Sequence, residues 1–266
     1  MHFSPYGWLL LAGIAVSLFT WTRLARRDER LVLIYVAALF SAFIGAKLTY
    51  IFAEGWLDWP MPDRWLRLAT GKSVLGALLG GYAGVEAAKF ALGYRAPTGD
   101  LFALVAPLGI GIGRIGCLLH GCCLGERCAP TFPNWFTLRD AEGVARWPAV
   151  PVELGFNVVM LAVFIVLRRR ACKSAGMSAG GTANAGTAEE ISPPPSVGGY
   201  AMRGQHFHLY LIAYGLFRFV HEFFRATPRM IFGISGYQFA ALACVLLGTV
   251  GFVHRSRSLL ALGTGH

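Results

Sequence analysis

The sequence is short of charge. Only 14% of its 266 residues are Asp, Glu, Lys or Arg, where a soluble domain carries nearer to about a quarter. A chain that is 55% hydrophobic cannot cover itself with charge in water, so a soluble globular fold is excluded. Basic residues are missing ahead of the first apolar run, because the first Lys or Arg is Arg23, which follows it. A signal peptide carries its positive charge in front of the apolar stretch, so this run is expected to stay in the protein as a span. No fixed-period repeat is evident, which argues against a transporter built from repeats. Large apolar residues are almost absent from 174–204, which is rich in Gly, Ala, Ser and Thr and contains Pro193, Pro194 and Pro195. Such a segment cannot bury a core and is expected to be a disordered cytoplasmic linker.

Long apolar runs are what the chain does have. A spanning helix needs about 20 mostly apolar residues, and runs of this kind lie at 7–24, 31–52, 74–94, 101–119, 152–167, 207–224 and 236–253. The expected fold is an all-α integral membrane protein with about seven transmembrane helices, forming one membrane domain over 1–266. Arg23, Arg26, Arg27 and Arg30, then Arg95, then Arg168, Arg169, Arg170 and Lys173, then Arg255 and Arg257 follow alternate spans. All these groups fall on one side, which the positive-inside rule makes cytoplasmic. The N-terminus is then outside and the C-terminus cytoplasmic, in a multi-pass protein of a bacterial inner membrane. The net charge of +10 is accounted for by this signal and by anionic headgroups, so no nucleic-acid partner is implied. The outer loop, 120–151, carries Trp135, Phe136, Trp147 and several prolines, a mix suited to a structured cap. Trp56, Trp59 and Trp65 mark a second interfacial segment.

Within the sixth run, Tyr214, Arg218, His221, Glu222 and Arg225 fall within roughly a 100° arc of a helix. A charge at bilayer depth costs at least about 2.5–3.5 kcal/mol, so such a face points to a bundle interior or wet cavity and is functional by default. The competing reading is a self-satisfying pair of Arg218 and Glu222 that only joins helices, with Arg225 reaching outward. The fourth run carries Gly109, Gly111, Gly113 and Gly116 around Arg114. Those glycines are expected to let a helix or a lipid headgroup approach closely, and an arginine fork suits the two oxygens of a phosphodiester. Lys47, one turn before Tyr50, is a candidate third cation. Glu86 and Lys89 are expected to pair, and Glu153 opens the fifth span.

The cysteines Cys117, Cys122, Cys123 and Cys128, with His120, end the fourth span on the outer side. Three readings stay open: a disulfide, a reactive thiol, or a soft-metal site. The last is disfavoured because the spacing is not a paired C-x2-C arrangement.

From Tyr6 to Arg255 the chain resembles the prolipoprotein diacylglyceryl transferase family. The resemblance is strongest at Gly113, Arg114 and Gly116 and in the stretch from Tyr214 to Arg225. Tyr6-Gly7, the stretch from Gly45 to Tyr50, Gly76 with Gly80, and Ser235 to Gln238 add weaker support. The departures cluster elsewhere. The family's His-Gly-Gly-Leu is Leu75-Gly76-Ala77-Leu78, so its histidine is missing. Its Gly-Asn is Gly116-Cys117, the following Asn-Gly-Glu is His120-Gly121-Cys122, and of Gln-Leu-Tyr-Glu only Glu153 is kept.

What the resemblance implies is transfer of a diacylglyceryl group from phosphatidylglycerol, or another anionic phospholipid, to a thiol. The acceptor would be the cysteine of a prolipoprotein signal peptide or another thiol, and no cofactor or metal is expected. Arg114 and Arg218 are the expected phosphate clamp, Glu222 the residue that orients Arg218, and Tyr6 and Tyr214 the headgroup hydrogen-bonders. Lys47, Tyr50, Arg225, Ser235 and Gln238 complete the expected substrate contacts. His120 stands in for lost acid–base capacity. Two rivals remain: a related transferase with another acceptor and Cys117 or Cys122 as covalent carrier, and a non-enzymatic protein using the Cys and His cluster for a metal or for redox sensing.

Overall fold

The computed structural model describes residues 28–129, 131–179 and 204–263, with a few positions between 13 and 26. Most of the first expected span, Tyr6 and most of the expected linker lie outside the described residues.

Helix α1 (Glu29–Tyr50) starts where Asp28 accepts a hydrogen bond from the Arg30 backbone N–H at 2.9 Å, with Glu29 favouring the positive end of the helix dipole. It continues through a π-helical turn, Ile51–Gly55, and a short α-turn, Trp56–Asp58. The short α2 (Arg64–Thr70) follows, and α3 (Val74–Ala91) is capped by the Ser73 hydroxyl. Then come α4 (Gly99–His120), α5 (Ala149–Ala179), α6 (His206–His221) and α7 (Gly236–Gly263). Helix α5 runs past 174, where the linker was expected to begin.

Among the described residues, four helical stretches are long and apolar enough to cross a membrane: Glu29–Asp58, Gly99–His120, Ala149–Arg170 and Gly236–Arg257. Helices α3 and α6, of 18 and 16 residues, carry charges near one end and pack among these four. Phe40, Phe52, Val159 and Leu246 are all exposed, the pattern of a bundle whose outer face meets lipid. The chain is thus a mostly helical membrane protein. It is not purely α, because two small antiparallel hairpins, β1 (Leu138–Arg139) with β2 (Ala145–Arg146) and β3 (Arg229–Ile231) with β4 (Ile234–Ser235), occupy the loops. The apolar-run reading passes over strands of two or three residues.

Close helix approach occurs at other glycines than those of the fourth run. On the α1–α3 contact a Cβ at Gly80 would stand 2.2 Å from the Ser41 carbonyl oxygen, and one at Gly45 2.3 Å from that of Gly76. By contrast, a Cβ at Gly109 or Gly113 meets nothing within 4 Å, and at Gly111 only a Leu154 methyl at 3.7 Å. For Gly109, Gly111 and Gly113 the expectation of a closely packed neighbouring helix is therefore corrected. Leu75, Tyr210, Leu211, Tyr214, Ala241 and Cys244 form the centre of the core. Between α1, α3, α4, α6 and α7 lies a cavity of about 550 Å³ with mainly apolar walls, including Leu78, Phe102, Ile110 and Phe207, and with Lys89 and Arg255 at one end.

Candidate functional site

The end of α4, the first turns of α5 and the end of α6 meet around one carboxylate. Glu153 enters the bundle two residues after Pro151, which the first turn of a helix tolerates, and it is fully buried. Tyr214, Arg218 and Glu222 follow one another every fourth residue, so one face of α6 and the 3-10 turn after it (Glu222–Phe224) presents all three. Glu153 Oε1 accepts from the Tyr214 hydroxyl at 2.7 Å and pairs with Arg114 Nη2 at 2.8 Å. Its Oε2 accepts from Arg218 Nη1 at 3.0 Å and lies 3.7 Å from Arg225 Nη1. Arg218 Nη2 donates in turn to Glu222 Oε2 at 2.8 Å.

Three arginines thus face two carboxylates, leaving one positive charge in excess at a buried place. Among the described residues, the Nε–H groups of Arg114, Arg218 and Arg225 and the Glu222 Oε1 atom are buried without a hydrogen-bond partner, although burial of an unmatched polar group is costly. A site with one surplus cation and three unused N–H donors suits a singly charged phosphodiester.

The cysteine loop borders this cluster because of how α4 ends. Gly121 takes the left-handed conformation (φ 65°) and the Cys122 N–H reaches back to the Cys117 carbonyl at 3.1 Å, the pattern of a Schellman cap. Cys123 is left-handed as well (φ 61°), and the double reversal folds Cys122 and Cys123 over Cys117. The three sulfurs lie within 4.8 Å of one another, Cys122 and Cys123 being 3.7 Å apart. Arg114 Nη1 is 4.0 Å from Cys117 Sγ. A hydrogen bond from Cys117, with the positive charge of Arg114 and Arg225, draws the Cys123 thiol down to about 5, whereas burial raises that of Cys122. Among the described residues these cysteines and Cys128 are free thiols. The loop is held by Gly125 N–H to the Trp147 carbonyl at 3.2 Å and Glu126 N–H to the Phe224 carbonyl at 2.9 Å.

Other sequence expectations land elsewhere. Lys47 does not join the arginines: its Nζ donates to the carbonyls of Leu68, Ala69 and Gly71, tying α1 to the end of α2. Tyr50 donates to Asp58 in the same interfacial segment. Ser235 and Gln238 cap α7 reciprocally, the Ser235 N–H giving to Gln238 Oε1 at 2.8 Å and the Gln238 N–H to Ser235 Oγ at 3.3 Å. His120 is exposed at the end of α4, outside the sulfur group. Leu75, at the family's histidine position, is buried in the core.

Glu153 as the hub is what sequence reasoning left unassigned. Its signal was there: it is the lone acid of the fifth apolar run. His221 lies beside Arg218 but is no ready base. Its Nε2 accepts from Trp147 Nε1–H at 3.3 Å, so the neutral ring carries its proton on Nδ1 and has no lone pair left to offer.

A family model described as prolipoprotein diacylglyceryl transferase matches residues 1–183 and 196–254. A Clostridium perfringens protein named phosphatidylglycerol–prolipoprotein diacylglyceryl transferase 2 is 25% identical over 91% of this chain and 87% of its own length. Proteins with the same name, without the numeral, from Symbiobacterium thermophilum and Rhodospirillum centenum are 28% and 29% identical, covering 92% and 91% of this chain and 85% and 84% of theirs.

Proposed function

The chain belongs to the prolipoprotein diacylglyceryl transferase family, and from that membership we propose that it moves a diacylglyceryl group from phosphatidylglycerol to a cysteine thiol of a prolipoprotein. The observation that carries this reading is the arginine cluster. Arg114, Arg218 and Arg225 gather around Glu153 with three unused Nε–H donors, a buried receptor for the phosphate that leaves.

In this reaction the acceptor sulfur attacks the glyceryl carbon bonded to the phosphate oxygen. A C–S bond forms, the C–O bond breaks, and the electron pair stays on the departing glycerol phosphate. The negative charge growing on that oxygen is what Arg114 and Arg218 stabilise. Glu153 and Glu222 hold the two forks in place, Tyr214 fixes the Glu153 carboxylate, and Arg225 supplies the surplus charge. The acyl chains of the donor enter the apolar cavity beside α4. The protein spans the bacterial inner membrane about seven times, N-terminus outside, with the cluster and the cysteine loop toward the outer face. Lys47, Tyr50, Ser235 and Gln238 support the fold around the substrate.

Replacing Arg114 or Arg218 by Lys keeps a cation but loses the planar fork. Turnover of phosphatidylglycerol by each variant is expected to fall by roughly a hundredfold, the scale on which a lost transition-state donor acts, while the detergent-solution melting temperature changes little. Full turnover in both variants overturns the clamp.

A further inference from the structure

The reading above assigns the acceptor thiol no base: Leu75 is apolar, His120 is exposed outside the cluster, and the acceptor nitrogen of His221 is taken by Trp147. A thiol is a poor nucleophile until it loses its proton. The three sulfurs beside Arg114 offer another route to a thiolate.

We propose that Cys117, Cys122 and Cys123 bind a zinc(II) ion whose fourth position takes the acceptor cysteine as a thiolate; this rests on the transferase reading. Zinc with thiolate ligands has bonds of about 2.3 Å in tetrahedral array, which sets sulfur–sulfur separations of about 4 Å. Cys122 and Cys123 already stand at 3.7 Å, and all three sulfurs fall within 4.8 Å, so the group closes on an ion with a shift of about an ångström or less. Three protein ligands with one open position mark a zinc site that handles substrate, whereas a structural site is closed by four. Cys128, whose N–H is bound to the Ala145 carbonyl in the loop, is outside the sulfur group. Cys123 is exposed, so an incoming thiol can reach the group.

Position and charge agree with this role. Arg114 touches Cys117 through one nitrogen and Glu153 through another, so a sulfur held on the ion is placed beside the arginines that receive the leaving phosphate. Four thiolates on zinc(II) carry two net negative charges, which the one surplus positive charge of the arginine cluster offsets in part. The acceptor RSH gives its proton to water on binding. The bound sulfur's lone pair forms the bond to the glyceryl carbon as the phosphate oxygen leaves with the C–O pair. The thioether product, a weaker donor than a thiolate, then dissociates and frees the fourth position.

The test uses the full chain, purified in detergent under a phosphine reductant, with zinc alone as first probe. One zinc per chain is expected after desalting, with three sulfur neighbours and one lighter atom by X-ray absorption, changing to four sulfurs on addition of a lipobox peptide. Cys117→Ser, Cys122→Ser and Cys123→Ser are each expected to weaken zinc binding at least roughly tenfold, while Cys128→Ser retains it. Failure to bind zinc, equal binding by Cys123→Ser, or a coordination shell unmoved by the peptide overturns the proposal. Cys123 being exposed, its variant is expected to fold, and cadmium charge-transfer absorption gives a second readout. Lipid turnover separates the two readings. Undiminished turnover in zinc-free protein and in the serine variants overturns the zinc site and leaves the transferase standing. Zinc with the peptide sulfur as fourth ligand, but no lipid turnover by any form, upholds the site and removes the transferase.

Discussion

Glu153 carries the arrangement at the scale of single residues, since three arginines, from α4, from α6 and from just past the 3-10 turn that follows it, converge on its two oxygens. Breaking a buried ion pair by removing one partner leaves an uncompensated charge and costs about 3–5 kcal/mol. Glu153→Gln is therefore expected to lower chemical-denaturation stability by about that much and to reduce folded yield. Stability equal to the parent would mean that the arginines do not depend on it. Glu222 contacts Arg218 at 2.8 Å but Arg225 only at 3.9 Å, so Glu222→Gln should lower turnover more than melting temperature. The reverse order would mark the pair as structural. The arginines and Glu222 were legible in the sequence because charge inside an apolar run is rare. Lys47 was misplaced by the same logic: a cation in an apolar run is only known to need partners, and here backbone carbonyls supply them. Glu153 was legible as the acid that opens a run and as a retained family residue, but its role as hub shows only with three cations around it.

At the scale of helices and loops, composition located the apolar runs but not their contacts. Glycine is read from sequence as close approach, yet that role belongs to Gly45 and Gly80, where an added Cβ meets backbone, and not to Gly109 or Gly113, where it meets open space. Gly80→Val is expected to separate α1 from α3 and to destabilise by about 1–3 kcal/mol, the usual cost of overpacking. Gly113→Ala is expected to be neutral or slightly stabilising through helix propensity. Thermal melting of the two variants side by side checks this, and equal losses would contradict it. The cysteines were legible as a group, but which of their sulfurs converge was not, for a related reason. The three that meet span one helix end and a double left-handed reversal, at Gly121 and Cys123, which linear spacing does not show. Gly125→Ala is expected to displace this loop, because its Cβ would stand 2.5 Å from the Trp147 carbonyl oxygen and 2.9 Å from that of Phe224.

For the whole molecule, apolar exterior and buried charge point to a bilayer-embedded body with one polar site. The orientation we propose makes a reporter fused after Arg170 cytoplasmic and one inserted near Asn134 exported, following the arginine distribution. Both on one side would contradict it. Helical class and membrane character were legible because lipid imposes long apolar runs. The site was legible only in part, since it is assembled from three helices far apart in sequence. The most direct measurement follows both products of one reaction, with the purified chain in phosphatidylglycerol vesicles and a lipobox peptide. The expected result is a peptide heavier by one diacylglyceryl group, joined through a thioether, with glycerol phosphate released in equal amount. Unmodified peptide, or glycerol phosphate released without lipidated peptide, would contradict the proposed transfer.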